Sequence, residues 1–157
     1  MNRIYIKSNI TSEKLLAEAL FDLFHIKDSN IQIIVNEYGK KYLKDYPNIY
    51  FNISHSGDKC VCVISDNEVG VDIQKKCYKP QVYSKCFNSN EIEYIENSKD
   101  KEKAFTKCWV MKESYVKMLG IGISYGLKNV NTLDLQNKFD IIELDDYFMA
   151  IGNKNNF

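Results

Sequence analysis

Trp109-Val-Met-Lys-Glu-Ser-Tyr-Val-Lys117 sits within a run of helix formers, and its spacing decides how the second half of the chain folds. The helix is predicted to start near Asp100 and to stop at Gly120, where glycine suits a left-handed C-cap. At about 100° per residue, Phe105, Cys108, Trp109, Val116 and Leu119 share one apolar face. Lys112 falls in the middle of that face, and Glu113 and Lys117 lie side by side on its flank. Alone, Lys112 reads as a lysine whose stem covers the core while its ammonium reaches water. Glu113 and Lys117 alone read as a surface i,i+4 pair contributing ~0.2–0.5 kcal/mol.

Working outward, Val69-Gly-Val-Asp-Ile-Gln74 reads as a strand in which Asp72 and Gln74 project from one face. Aspartate is a poor strand former, so Asp72 is either a strand-end cap or a functional group. Gly70 marks a bulge or a close approach by another backbone. Taken with Glu113 and the two lysines, Asp72 supplies hard oxygen ligands for a divalent cation with ammonium groups nearby, a combination suited to a diphosphate.

Earlier in the chain, Ile4 to Ile6 reads as a strand. Ser12 or Thr11 caps a helix to about Phe24, striped by Leu15, Leu16, Ala19, Leu20 and Leu23. Ile31 to Asn36 is strand-like, and Tyr38-Gly39-Lys40 is a turn. Phe51 to Ser56 and Cys60 to Ser65 flank Gly57-Asp58 as a hairpin. In Phe51-Asn-Ile-Ser-His-Ser56, alternation puts Phe51, Ile53 and His55 on one face and Asn52, Ser54 and Ser56 on the other. Ser54 and His55 therefore point apart and form no nucleophile–base couple, and His55 is left as a structural residue or a holder of a phosphate oxygen. Pro80 marks the expected division between halves. Ser89 or Asn90 caps a short helix over Glu91 to Glu96, and Leu127 to Leu135 and Asp140 to Ile151 are expected as strands.

Composition limits the function classes. With 157 residues and 45% hydrophobic content, one folded domain is expected. Lys plus Arg and Asp plus Glu both total 21, so no global charge draws the chain to nucleic acid or membrane. No apolar run is long enough to span a bilayer, and the first residues are too polar for an export signal, so a cytoplasmic location is expected. Five cysteines without a Cys-x-x-Cys pair, and only two histidines, point to reduced thiols rather than zinc.

Asn52-Ile-Ser-His-Ser56, Gly70-Val-Asp-Ile73 and Trp109 to Lys117 occur in the order and at the separations of the three motifs of the Sfp-type 4′-phosphopantetheinyl transferases, which this chain resembles. Glu37-Tyr-Gly-Lys40, Phe87-Asn-Ser-Asn-Glu91 and Ile121-Gly-Ile-Ser124 extend the likeness over roughly residues 12 to 151. The resemblance implies an α+β fold of two pseudo-symmetric lobes, about 1–76 and 77–157, each a long helix on a small antiparallel sheet with the site between them. It implies a transferase that moves the phosphopantetheine arm of coenzyme A to a serine of an apo acyl or peptidyl carrier protein, releasing adenosine 3′,5′-bisphosphate. Asp72 and Glu113 would bind Mg²⁺ (or Mn²⁺), with Gln74 where many members have a further acid. Glu113, or a water that it orients, would take the serine proton. Lys117 and His55 would meet the diphosphate, and Lys14, Lys40 and Ser54 the adenosine end or its 3′-phosphate. Lys112 is expected at the cofactor, with Glu91 supporting Lys112 or Lys117. Larger relatives carry basic residues before the position of Lys14, so recruitment of Lys7 or Lys41 is a further expectation. A monomer is expected. The rival readings are a non-catalytic coenzyme A- or carrier-binding protein of the same fold, and a Mg²⁺-dependent pyrophosphohydrolase.

Overall fold

The computed structural model describes residues 2–122 and 126–157. Ile123 and Ser124 of the segment after the long helix thus lie outside the described residues. The chain runs β1 (Arg3–Ser8), α1 (Ser12–Phe24), β2 (Ile33–Val35), β3 (Lys41–Leu43), β4 (Tyr50–Ser56), β5 (Lys59–Ser65) and β6 (Val69–Lys75). It continues with α2 (Tyr83–Cys86), α3 (Ser89–Glu96), α4 (Lys101–Leu119), α5 (Thr132–Leu135), β7 (Phe139–Leu144) and β8 (Tyr147–Asn153).

Two antiparallel three-stranded sheets, ordered β1-β5-β4 and β6-β8-β7, carry the fold, and β2 and β3 form a separate hairpin. Both sheets have one topology. A strand leads into a helix, a hairpin follows, and the last strand of the hairpin inserts beside the first. The second unit therefore begins at β6. The strand expected to close the first lobe, with a division near residue 76, instead pairs along its whole length with β8. The chain crosses between units in the turn at 66–68, where Asp66-Asn67-Glu68 offers polar turn residues and no strand formers.

In the first unit Leu15, Leu16, Ala19 and Leu20 of α1 pack on Phe51, Cys60, Cys62 and Ile64. The opposite face of β5, Val61 and Val63, meets Val69, Val71, Ile73, Met149 and Ile151 of the second sheet. Strand β5 is thus covered on both faces, which explains its near-continuous apolar sequence. Cys60 and Cys62 share a face as expected, and all five cysteines are free thiols. Burial pushes Cys62 up to about 12.

Helix α4 departs from the expected single apolar face. Val110, Met111, Ser114 and Met118 are buried along with Phe105, Cys108 and Val116, whereas Leu119 is exposed. The helix lies between the second sheet and a layer built from α3 and residues 127–135, so it is covered on both sides. Its ends follow local chemistry. Asp100 Oδ1 accepts the Lys103 N–H at 2.9 Å, and Gly120 closes the helix at φ 65°. The α3 cap is Asn88, one residue before the expected position, in a capping box with Glu91. Residues 127–135 are not strands. Leu127–Asn129 is a 3-10 turn and Thr132–Leu135 a short helix.

Candidate active site

Helix α4 is set on the second sheet by two glycines and a serine. A Cβ on Gly70 would meet the Ser114 carbonyl oxygen at 2.0 Å, so the backbones of α4 and β6 touch there. Gly70 faces Gly152 across the β6–β8 ladder. Ser114 Oγ fits against this pair, donating to the Gly70 carbonyl at 2.9 Å and accepting the Gly152 N–H at 2.8 Å. This contact fixes the height of α4 on the sheet. It brings Lys117, one turn on, to Asp72 of β6, with Nζ–Oδ1 at 2.5 Å.

Strand β4 is joined to β6 through side chains. The side-chain oxygens of Asn52, Ser54 and Ser56 accept the N–H groups of Val71, Ile73 and Lys75 at 2.9, 3.3 and 3.0 Å. These N–H groups lie along the edge of β6 away from β8, where they would otherwise be unpaired. Alternation along β4 puts these three residues on one face, and the Asn-x-Ser-x-Ser pattern is the only trace of this role in the sequence. Ser54 Oγ also donates to Asp72 Oδ1 at 2.8 Å and accepts from Lys117 Nζ at 3.2 Å. One donor and two acceptor sites are all that a hydroxyl has, so Ser54 is saturated within the protein. Ser54, expected at the adenosine end of the cofactor, here holds Asp72 and Lys117.

A cavity of about 540 Å³ opens beside this junction, lined among others by Ser12, Tyr38, Lys41, His55, Glu113 and Lys117. Burial raises the Glu113 pKa, the Asp72 charge raises it further, and Lys117 opposes both. Two carboxylates and one ammonium therefore lie together where β6 meets α4, with Glu113 and Lys117 on the cavity wall and Asp72 paired to Lys117 behind it. Among the described residues, both side-chain hydrogen bonds to Asp72 fall on Oδ1. The remaining Asp72 oxygen, Glu113 and the amide of Gln74, two residues along the same face, are hard donors that fit Mg²⁺ or Mn²⁺. No group of three or more His, Cys, Asp or Glu that could hold a metal occurs among the described residues. A cation held by Asp72 and Glu113 would complete its shell with water or ligand oxygens.

Other expected site residues lie elsewhere. Lys112 is fully buried and ion-paired to buried Glu91 at 2.7 Å. It also donates to the carbonyl oxygens of Leu127, at 2.9 Å, and Val130. Glu91 accepts from the Thr132 N–H and hydroxyl at 3.0 and 2.7 Å and from the Asn88 N–H at 3.0 Å. Lys112 therefore does not reach water. It is spent on a buried ion pair that anchors residues 127–132. Glu91 supports Lys112, one of the two alternatives expected. Lys14 stands exposed in the first turn of α1, and neither it nor Gln74 lines the cavity. Asn36, not singled out in the sequence, organises the hairpin turn. Its Oδ1 accepts the N–H groups of Tyr38 and Lys40, and its Nδ2 donates to the Gly120 carbonyl at 2.8 Å. An asparagine ending a strand three residues before a glycine was the available signal.

The fold and site define an α+β protein of two repeated units with a cavity of mixed charge at their seam. A family model for the 4′-phosphopantetheinyl transferase superfamily matches residues 68–150, from the turn before β6 into β8. The chain belongs to that superfamily. It is 33% identical over 118 residues to 4′-phosphopantetheinyl transferase gsp of Aneurinibacillus migulanus, covering 73% of this chain and 49% of that protein. It is 30% identical over 140 residues to 4′-phosphopantetheinyl transferase Sfp of Bacillus subtilis strain 168, covering 87% and 62%. It is 32% identical over 134 residues to the human L-aminoadipate-semialdehyde dehydrogenase-phosphopantetheinyl transferase, covering 74% and 42%. The chain thus spans about half of the length of the curated relatives that it matches. No helix among the described residues is long and apolar enough to cross a membrane.

Proposed function

We propose that this protein transfers the 4′-phosphopantetheine arm of coenzyme A to a serine of an apo acyl or peptidyl carrier protein. The observation that carries the reading is Glu113 and Lys117 side by side on one cavity wall, with Asp72 of β6 paired to Lys117 at 2.5 Å just behind it. The carrier serine oxygen attacks the phosphorus that bears the pantetheine, its proton passes to Glu113 directly or through a water, and the bond to the nucleotide phosphate breaks. Adenosine 3′,5′-bisphosphate leaves with the bonding pair. Glu113 suits the base role because burial and the Asp72 charge raise its proton affinity. Lys117 stabilises charge on the departing phosphate, and His55, exposed on the cavity wall, donates to the diphosphate. Asp72, Glu113 and Gln74 would hold Mg²⁺, which supplies charge neutralisation to the diphosphate. One chain contributes every one of these groups, so a monomer suffices, and its free thiols suit the cytoplasm.

The test is to mix the protein, coenzyme A, Mg²⁺ and apo carrier proteins and to weigh the carriers. A gain equal to phosphopantetheine is expected. An unmodified carrier beside bound coenzyme A, or coenzyme A cleaved without a carrier, overturns the proposal. Glu113→Gln should lower kcat by about 10²–10⁴. Asp72→Ala should lose turnover at limiting Mg²⁺, with Gln74→Ala much milder.

A further inference from the structure

Two adjacent lysines line the cavity, and the fold uses them differently. The Lys40 side chain is 5% exposed. Its ammonium donates to Glu68 in the turn between units and to the Met118 carbonyl at 2.6 Å, near the end of α4. Its stem lies under Gly120, where an added Cβ would come within 2.7 Å of Lys40 Cδ. Burial lowers the Lys40 pKa, and Glu68 opposes that shift. Lys40 therefore ties three segments together and has little ammonium surface left for a ligand. Lys41 is exposed, lines the same cavity, and has no carboxylate partner among the described residues. Of the other basic candidates, Lys7 is paired to Glu18 at 2.6 Å and Lys14 is outside the cavity lining.

Lys41 sits on the hairpin wall of the cavity, and Glu113 and Lys117 on the α4 wall. A ligand with a diphosphate at the α4 wall and a phosphomonoester on its nucleoside can address both. We infer that Lys41, not Lys40, recognises the 3′-phosphate of coenzyme A, and that Lys40 is a positioning residue joining the β2–β3 hairpin to the end of α4. The inference rests on the proposed coenzyme A reading of the cavity. A solvated ammonium on a flexible stem suits a phosphomonoester, which remains partly hydrated.

The test is calorimetric titration of the full chain with coenzyme A and with 3′-dephospho-coenzyme A, which needs no turnover. Wild type should prefer coenzyme A by about tenfold, the size of one charge-assisted contact. Lys41→Met should erase the preference by weakening coenzyme A alone, with Tm unchanged, and Lys41→Arg should restore it. Lys40→Met should lower Tm and keep the preference. Retention of the preference in Lys41→Met overturns the inference, as does its loss in Lys40→Met or Lys14→Met. A wild type that binds both nucleotides equally overturns this inference alone. One that binds neither overturns the coenzyme A reading beneath it.

Discussion

A methyl group at Gly70 would lie 2.4 Å from the Met118 nitrogen as well as 2.0 Å from the Ser114 oxygen. Both are backbone atoms of α4 and cannot rotate aside, so Gly70→Ala must lift the helix from β6. Overpacking costs ~1–3 kcal/mol, and a backbone clash belongs at or above the top of that range. We expect a Tm loss and, in protein that still folds, transfer reduced beyond the loss of folded material, because the lift separates Lys117 and Glu113 from Asp72. Thermal melts paired with initial rates check this, and an unchanged rate in a folded Gly70→Ala would refute the positioning role. The sequence narrowed Gly70 to a bulge or a close approach. Choosing between them required α4, whose contact residues follow some 44 positions later.

At the scale of elements, α3 and α4 are joined at their ends by Glu96. Its Oε1 accepts from Tyr78 at 2.5 Å and Tyr83 at 3.0 Å, and its Oε2 pairs with Lys101 at 2.5 Å. Hydrogen bonds from Lys101, Tyr78 and Tyr83, in that order, draw its carboxyl from 4.5 to about 2. The folded pKa lies below the unfolded one, so the stabilising contribution is full above pH 4.5 and fades as pH falls toward about 2. Glu96→Gln should lower Tm at neutral pH and flatten its decline between about pH 5 and 2. Melting curves across that window decide it. The α4 boundaries were legible because caps act within a few residues: Asp100 and Gly120 carry the chemistry themselves. Residues 127–135 are not legible as a turn and a short helix, because a short apolar alternation does not reveal where its carbonyls go. Those of Leu127 and Val130 turn to Lys112 rather than to a neighbouring strand.

Across the whole molecule, one topology occurs twice, and the site forms where β4 of the first unit meets β6 and α4 of the second. The second unit holds a polar centre, Lys112 with Glu91. Removing one member of a buried pair leaves an uncompensated charge and costs ~3–5 kcal/mol. Lys112→Met should therefore destabilise strongly, and adding Glu91→Leu should recover part of the loss. Urea denaturation of both variants tests this, and a double variant weaker than the single would contradict the pairing. From sequence alone came the helices and strands with local caps and periodicity, the kinds of chemical group available, and the resemblance to a transferase family. Only the tertiary structure decided that β6 opens the second unit, that Lys112 and Ser54 are internal struts, and that Lys40 is buried while Lys41 is exposed. These outcomes depend on partners far along the chain: Asp72 lies 18 residues from Ser54, and Met118 lies 78 from Lys40. Burial turns such polar groups toward whichever partner packing brings near, and no local pattern of residues encodes that choice.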